Sequence, residues 1–296
     1  MEPILVTGAA GGSQGSTGRT VTRLLRDRAL PVRAFVHTDD GRCAGLRAAG
    51  AEVVAGDLRE IASVLPAVRG VRQVFFTYPV TAGLLDATAA VAAAARLEGI
   101  QQVVEVSQLA ASPDAPTPHM RQHWLAEQVF DRAGIGAVHL RAAVFFENLA
   151  VLVAAGHGEL ALPLGSPDTV IPLVAAADVA RVAAAILAGA AGAPGSIDPV
   201  CRLTGDIAAI GEIAGAFSAG GTKVRYVDMD PVEWAERALS IYHDPHTVEH
   251  LSKLWEIFRL IGSGHDLYQV TEEIERIGGR PPQTLTDFTA AWRAPA

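Results

Sequence analysis

The sequence predicts an α/β fold, a doubly wound parallel sheet followed by a smaller, mostly helical C-terminal lobe. Short runs rich in β-branched and aromatic residues alternate with longer Ala/Leu/Arg-rich segments through the first half of the 296 residues. A glycine-rich stretch separates the first strand-like run from the first helical segment. Because strands that alternate with helices need crossover connections, the sheet should be parallel with helices on both faces.

Six strands and five helices are predicted in residues 1–150, which we take as the first domain. The strands are Ile4–Thr7, Val32–His37, Glu52–Ala55, Gln73–Thr77, Gln102–Ser107 and Ala137–Arg141. The helices between them are Gly18–Ala29, Arg42–Ala49, Glu60–Val68, Gly83–Glu98 and His119–Ala133.

The pattern changes in residues 151–296, which we take as the smaller lobe, interleaved with the first domain. Gly-, Pro- and Ala-rich joints separate strands at Thr169–Leu173 and Lys223–Val227 from the helical segments. These segments are Asp178–Ala188, Gly205–Phe217, Pro231–Leu239, His246–Phe258 and Leu267–Arg276, with a last turn near Asp287. A ligand cleft is expected between the two parts, at the carboxyl ends of the strands.

Composition excludes several classes of function. The 24 Lys and Arg residues against 32 Asp and Glu give a formal charge of −8, which argues against binding a nucleic-acid backbone. Cys43 and Cys201 have neither zinc-site spacing nor the number of a disulfide framework, and no metal site is predicted. The longest apolar tract, Val174–Ala188, is too short and too interrupted by charge to span a membrane. Without a basic N-terminal leader, the chain is predicted to be cytoplasmic.

The strongest motif is the glycine-rich stretch 6–19. Glycines there allow a tight turn and let the backbone approach a pyrophosphate, which then lies at the N-terminus of the following helix. A flexible surface turn is the alternative, but the place after the first strand of an alternating array favours dinucleotide binding. The predicted contacts are Gly8, Gly12, Gly15, Ser16, Thr17 and Gly18.

The end of the second strand bears on the choice of cofactor. An acidic residue there binds the ribose of NAD, whereas a basic residue accepts the extra phosphate of NADP. His37 and Arg42 favour NADP over NAD, while Asp39 and Asp40 can equally be turn formers and a helix cap.

Two further strand ends offer cofactor contacts. Asp57 and Leu58 follow the third strand, where a carboxylate can accept a hydrogen bond from the adenine amino group; Asp57 can equally cap the next helix. Thr77 and Tyr78 end the fourth strand and would pass beside the nicotinamide ribose, although Tyr78 can also be only a cleft wall.

Together these residues resemble the NmrA-like family of atypical short-chain dehydrogenases/reductases. The resemblance implies a Rossmann fold that binds NAD(P), in a family containing quinone reductases, reductases of natural-product pathways and redox-sensing regulators. It rests on Val6-Thr7-Gly8 and its glycine-rich loop, Gly56-Asp57-Leu58, Ser107, His123-x-x-x-Glu127, Leu140-Arg141, Phe146-Glu147-Asn148-Leu149, Asp178-Val179-Ala180, Leu203-Thr204-Gly205 and Gly278-Gly279-Arg280-Pro281-Pro282.

The reductase triad of Ser, Tyr and Lys is incomplete. Ser107 occupies the serine position that the resemblance implies. None of the four tyrosines, at 78, 226, 242 and 268, has a lysine four residues later. His119 and His123 occupy the region where that motif should lie, and either can serve as a proton donor or ribose contact, bind a metal, or be a solvated polar residue of an amphipathic helix. The resemblance places His123 toward the nicotinamide, and Glu127 can pair with a nearby arginine.

Phe146 and Asn148 are the predicted substrate contacts, Phe146 as an apolar wall and Asn148 as a hydrogen-bonding group. The first functional hypothesis is an NADPH-dependent reductase of a quinone-like or conjugated carbonyl compound, in which His123 or solvent supplies the proton. The competing hypothesis is a dinucleotide-binding redox sensor that acts through a protein partner, and a third is an isomerase or dehydratase. Each leaves room for a homo-oligomer.

Overall fold

The computed structural model describes residues 2–12, 16–189, 197–219, 221 and 223–292. The strands are β1 (Ile4–Val6), β2 (Val32–Val36), β3 (Glu52–Ala55), β4 (Gln73–Phe76), β5 (Gln102–Gln108), β6 (Ala137–Ala142), β7 (Val144–Phe145), β8 (Glu159–Leu162), β9 (Val170–Val174), β10 (Val200–Leu203), β11 (Asp206–Ala209) and β12 (Arg225–Asp228). The helices are α1 (Thr17–Arg26), α2 (Ala44–Ala48), α3 (Ile61–Val68), α4 (Leu84–Glu98), α5 (Pro118–Ala133), α6 (Phe146–Ala155), α7 (Ala176–Leu187), α8 (Ile210–Ala219), α9 (Pro231–Tyr242), α10 (Pro245–Leu260), α11 (Glu273–Gly278) and α12 (Leu285–Ala291).

The main sheet has seven parallel strands in the order β10-β6-β5-β4-β1-β2-β3. All six strands expected in the first half belong to it, and the predicted doubly wound α/β class is confirmed. From β1 the chain continues to β2 and β3 on one side and then crosses to β4 on the other. Such a reversal opens a crevice at the carboxyl ends of β1 and β4, where ligands of this architecture bind.

Each strand of this sheet divides its side chains between two apolar layers because successive residues point to opposite faces. On β1, Ile4 and Val6 are buried in the layer that contains Val21 of α1. Leu5 points the other way and is buried with Val91 of α4. Burial on both faces explains why the strands are continuous apolar runs rather than alternating ones.

Residues beyond 150 return to the main sheet. β10 is its edge strand, with Leu203 aligned to Ala142 of β6, and α7 is buried in the same apolar layer as α1. α11 joins that layer through Ile274 and Ile277. Helices α8, α9, α10 and α12 contribute to a separate core that includes Phe217, Trp234 and Trp255.

The smaller lobe also contains two small sheets that the sequence did not predict, β11-β9-β7 and β12-β8. The segment predicted as a helix from Gly205 begins instead with β11, because Asp206–Ala209 pairs antiparallel with β9. The helix expected over Leu267–Arg276 is shorter and later, at Glu273–Gly278.

Candidate active site

A cavity of about 660 Å³ runs along the carboxyl ends of the main-sheet strands and continues beneath α10. Most of the predicted site residues line it, because parallel strands bring their ends to one edge of the sheet. Those that do so are Gly8, Gly12, Thr17, Gly18, His37, Arg42, Asp57, Leu58, Thr77, Tyr78, Ser107, His123 and Asn148.

The glycine turn between β1 and α1 closes one end of the cavity. Gly8 and Gly11 have φ angles of +63° and +71°, and the Gly11 N–H donates to the Gly8 carbonyl over 3.0 Å. A Cβ added at Gly18 would lie 2.4 Å from the Thr7 carbonyl oxygen. The backbone therefore packs at distances that only glycine allows, and the N-terminus of α1 faces the cavity. This arrangement fits the pyrophosphate of a dinucleotide.

Of the two other residues predicted in this turn, Gly15 lies outside the described residues. Ser16 precedes α1, makes no side-chain cap, and lines a smaller pocket that shares Arg42 with the main cavity. The same pocket contains Arg19, which the sequence analysis missed and whose Nη2 donates to the Ala10 carbonyl. A second cation beside the helix N-terminus strengthens the site for an anion.

The turn after β2 contributes Arg42 to the cavity lining, and this guanidinium is paired with Asp40. Asp40 accepts hydrogen bonds from the Arg42 backbone N–H over 2.9 Å and from Arg42 Nη2 over 2.7 Å, and the Arg42 guanidinium holds the pKa of Asp40 below its usual value. Asp39 pairs with Arg47. Asp40 therefore makes the capping contact that was the alternative to ribose binding, whereas Asp39 is held in an ion pair. His37 is exposed at the cavity edge.

Asp57, after β3, forms an Asx turn rather than a helix cap. Its Oδ1 accepts from the Arg59 backbone N–H over 2.9 Å and its Oδ2 accepts from Arg59 Nη2 over 2.6 Å. α3 begins only at Ile61. The Arg59 hydrogen bonds lower the pKa of Asp57 to about 2, so the carboxylate is ionised at neutral pH.

The end of β4 is tied to the end of β1. Thr7 Oγ1 donates to the Thr77 carbonyl over 3.0 Å and accepts from the Thr77 N–H over 2.9 Å. Tyr78 follows in the cavity wall, where its hydroxyl donates to the Ala82 carbonyl over 3.2 Å. Burial raises the pKa of Tyr78, which keeps the phenol neutral.

Ser107, at the end of β5, is held by a buried ion pair. Its Oγ donates to Glu127 Oε1 over 2.6 Å, and Arg141 donates to the same carboxylate from Nε over 2.9 Å and from Nη2 over 2.5 Å. Glu127 thus pairs with an arginine, as the sequence allowed. Because the Ser107 hydroxyl donates to Glu127, its remaining capacity toward the cavity is that of an acceptor.

A second ionic cluster lies behind Ser107, away from the cavity. His139 Nδ1 is 2.5 Å from Glu105 Oε1, and His139 Nε2 is 3.0 Å from Asp131 Oδ1. Burial lowers the pKa of His139, but the hydrogen bonds with Glu105 and Asp131 outweigh it and raise the value to about 9. This histidine is therefore a cation at neutral pH.

The two histidines of α5 have different surroundings. His123 lines the cavity, whereas His119 is absent from its lining and is fully buried against His246. The structure therefore does not bring His119, predicted as a proton donor or ribose contact, to the cavity wall. One helical turn separates the two rings, and the turn nearer the N-terminus lies under α10 instead of facing the cavity. Burial lowers the pKa of His119 to about 4 and that of His123 well below its usual value, so both imidazoles are neutral at pH 7.

Phe146, predicted as an apolar wall of the substrate cleft, does not line the cavity. Its side chain is fully buried in the core of the smaller lobe, 5.2 Å from the ring of Phe288. The cavity instead contacts Phe145 and Asn148. α6 begins at Phe146, and the change from strand to helix at that point decides which of two adjacent aromatic side chains meets the cavity.

The sequence analysis did not single out several residues that line the cavity. One of them, Gly11, repeats the glycine spacing and could have been predicted. The others belong to a loop after β3, to the end of β5 and to the helices above the cavity, and only tertiary packing places them there. They are Arg59, Gln108, Tyr242, His250, Leu254 and Trp255.

Comparison with known proteins decides the family. A model of the NmrA-like family matches residues 2–288. The chain belongs to the NmrA-like family. It is also 31% identical over 289 residues to an NAD(P)H azoreductase of Xenophilus azovorans, with 96% of each chain covered. The resemblance inferred from the motifs is confirmed.

Two solved structures show the same fold at low identity. An NADPH-dependent quinone oxidoreductase of Escherichia coli, complexed with NADPH, superposes with a TM-score of 0.74 at 21% identity, covering 97% of this chain and 98% of that one. NmrA, a negative transcriptional regulator, in complex with NAD, also has a TM-score of 0.74, at 18% identity, covering 98% and 95%. Homologues thus bind NADP(H) or NAD.

Among the described residues, no helix combines the length and the apolar character that crossing a membrane requires. No three His, Cys, Asp or Glu side chains in that part of the chain are grouped as a metal site.

Proposed function

We propose that this NmrA-like protein is an NADPH-dependent reductase of a flat, conjugated acceptor such as a quinone or an azo compound. The observation that carries the proposal is one cavity that joins the glycine turn to an apolar compartment beneath α10. The first part has the backbone geometry for a dinucleotide. The second can hold an apolar acceptor next to it, as a reductase requires.

The residues of the first part would hold the cofactor in a defined direction. The glycine turn and the N-terminus of α1 take the pyrophosphate, Asp57 takes the adenine, and Thr77 and Tyr78 lie beside the nicotinamide ribose. His37 and Arg42 take the ribose phosphate of NADPH. To bind Arg42, the phosphate competes with Asp40, which pairs with that guanidinium. When bound, the cofactor supplies hydride to the acceptor.

The apolar compartment suits a planar ring system. Its lining includes Leu152, Leu251, Leu254, Trp255 and Phe258. Phe145 and Asn148 line the same cavity, and Asn148 offers the amide that can orient a carbonyl or an azo nitrogen. The aromatic walls favour a conjugated ring over a flexible aliphatic chain.

The chain must also supply a proton. A quinone, one hydride and one proton give the hydroquinone, and an azo compound with the same two gives the hydrazo product. His123 contributes an imidazole of α5 to the cavity wall, and Ser107 is held as an acceptor by Glu127. We assign proton donation to His123, which compensates for the absence of a tyrosine–lysine pair.

The test combines turnover with binding. Purified protein is mixed with NADPH or NADH and a panel of quinones and azo compounds, and the loss of reduced-nicotinamide absorbance is followed. A parallel titration of tryptophan fluorescence measures the dissociation constant of each dinucleotide. We expect turnover of at least one planar acceptor and preference for NADPH. Turnover only of aliphatic aldehydes would refute the acceptor class.

Arg42→Ala tests the cofactor choice, with Arg47→Ala as the matched control. Arg47 is also exposed and paired with an aspartate, but it does not line the cavity. Loss of a charge-assisted contact of roughly 1.5–3 kcal/mol should weaken NADPH binding about 10- to 100-fold and leave NADH binding nearly unchanged. Equal weakening of both dinucleotides would contradict the NADPH assignment.

The absence of the tyrosine–lysine pair favours a second candidate, a dinucleotide-binding redox sensor that acts through a protein partner. The same experiment separates the two. Tight dinucleotide binding without turnover of any planar acceptor favours the sensor, whereas steady-state turnover favours the reductase.

A further inference from the structure

Four histidines from two helices meet beside the cavity. His119 and His123 lie four residues apart on α5, and His246 and His250 lie four residues apart on α10. Residues at this spacing share one helix face. The ring centroid of His119 is 4.8 Å from that of His123, 5.2 Å from that of His246 and 5.3 Å from that of His250. His119 is therefore the centre of the cluster.

The cluster connects the protein surface with the cavity. His246 is partly exposed, and its Nε2 lies 3.1 Å from Nδ1 of the fully buried His119. His123 and His250 are both buried and both line the cavity. The sequence of rings from solvent to cavity is thus His246, His119, and then either cavity histidine.

Three nitrogens in the cluster lack protein partners. Among the described residues, no hydrogen bond reaches His119 Nε2, His123 Nδ1 or His250 Nδ1, and all three atoms are buried. Leaving buried polar atoms unpaired is costly. Buried polar atoms without protein partners are the groups to which ordered waters form bridging hydrogen bonds. Such a bridge would continue the contact from His246 to the cavity wall.

The charge state of the rings suits proton transfer. Burial lowers the pKa of His119 to about 4 and that of His250 to about 3. A neutral imidazole has one donor and one acceptor nitrogen, so it can accept a proton on one side while it releases one on the other. The polar groups facing the cluster are Gln122 of α5, Asp244 before α10, and Gln108 of β5, whose Nε2 is 3.3 Å from His250 Nε2.

We propose that His246 and His119 form a proton relay that resupplies His123 during reduction of the acceptor. This inference rests on the proposed function. The relay also resolves a difficulty in the proposed function, because a neutral His123 cannot release a proton unless it receives another. His246 and His119 act through His123 and do not touch the reacting atoms.

The proton balance of the relay is closed. His246 takes a proton from solvent at Nδ1 as its Nε2–H is donated to His119 Nδ1. His119 releases its Nε2 proton toward His123, and His123 releases one to the acceptor, which has gained hydride and its electron pair from the nicotinamide. One solvent proton is consumed for each acceptor reduced. The imidazoles end neutral in their other tautomers, and a ring flip restores them.

His246→Gln tests the relay, and His243→Asn is its matched control. His243 is exposed three residues earlier and has a φ of +53°, a conformation that asparagine tolerates. We expect His246→Gln to lower kcat roughly tenfold, to raise the solvent deuterium isotope effect on kcat, and to leave KM and NADPH affinity unchanged. Added imidazole should restore much of the rate. His243→Asn should behave as the wild type.

A second measurement does not depend on turnover. In ¹⁵N-histidine NMR spectra of the wild type, His119 should stay neutral down to pH 5, and its Nδ1 resonance should shift in His246→Gln. His119→Gln identifies the resonance and keeps the test open if one variant folds poorly. A His119 that titrates near pH 6.5, as a solvated imidazole does, would overturn the relay.

The outcomes separate the relay from the function on which it rests. If the wild type reduces no planar acceptor, both proposals fall. If the wild type turns over and His246→Gln matches it in kcat and isotope effect, the relay alone is wrong and His123 exchanges its proton directly with water in the cavity.

Discussion

Gly18→Ala should disrupt the junction of β1 and α1. The added methyl would lie 2.4 Å from the Thr7 carbonyl oxygen and 2.7 Å from the Gly8 carbonyl carbon. Ordinary contact begins at 3.4 Å, so the overlap with backbone is about 1 Å. No side-chain rotation relieves it, because every atom involved belongs to the main chain. The helix must move away from the turn.

The magnitude follows from two opposing effects. Replacing glycine by alanine within a helix gains roughly 0.5–1 kcal/mol. Forcing a methyl into a packed site costs roughly 1–3 kcal/mol. The overlap with immobile backbone places Gly18→Ala toward the upper end of that cost, so we expect the free energy of unfolding to fall by about 1–2 kcal/mol. A shift of about 1 Å at the α1 N-terminus should also weaken dinucleotide binding at least tenfold.

Gly45→Ala is the control, because Gly45 is an exposed glycine of α2 whose added Cβ would meet no described atom within 4 Å. Chemical denaturation measures the free energy of unfolding, and fluorescence titration measures the affinity for NADPH. Gly45→Ala should be neutral or stabilising and bind NADPH normally. If Gly18→Ala shows the stability and affinity of Gly45→Ala, the close approach of turn and helix is not the reason that position 18 needs glycine.

Two further predictions concern the ionic clusters behind the cavity. Glu127→Gln should lower the free energy of unfolding by about 3–5 kcal/mol in urea titrations, because it leaves Arg141 without its buried carboxylate. The exposed control Glu256→Gln should change that free energy by less than about 0.5 kcal/mol. Equal unfolding midpoints for the two variants would contradict a stabilising role of the buried ion pair. The raised pKa of His139, about 9, means that its stabilising charge is fully present below pH 6.5 and is lost as the pH rises through 9. The wild type should therefore lose at most about 3 kcal/mol between pH 7 and pH 10, and a His139→Gln variant with the same loss would show that Glu105 does not stabilise the cation.

The strand ends show how much of the site local sequence patterns can predict. Gly8, Asp57, Thr77 and Ser107 come from four separate strands, yet all were expected at one cleft and all line it. Parallel pairing alone requires this, because the carboxyl ends of parallel strands share an edge. The glycine turn could be recognised for the same reason, since its backbone constraint is local.

Two predicted site residues, His119 and Phe146, do not line the cavity because packing separates them from nearby residues of the same type. Phe145 and Phe146 are neighbours of the same type, and the start of α6 between them sends the first to the cavity and the second to the core. His119 and His123 share a helix face, but α10 covers the first. Periodicity identifies a face and not what packs on it.

Strand β10 shows a second limit. Val200–Leu203 is a run of only four residues interrupted by Arg202, and its place in the main sheet depends on pairing with β6, some sixty residues earlier in the chain. The turn after β2 is similar, since the residue types allowed either ribose contact or turn formation. In the structure, the carboxylate of Asp40 pairs with the guanidinium of Arg42.

By itself, the sequence determined the doubly wound sheet, the glycine turn and the family, because strand and helix periods and tight-turn requirements are properties of neighbouring residues. Only the tertiary structure decided which histidines meet. His119 and His246 are 127 residues apart and touch because α10 folds back over α5. Such a contact depends on the packing of a whole lobe, and no local pattern around either histidine encodes it.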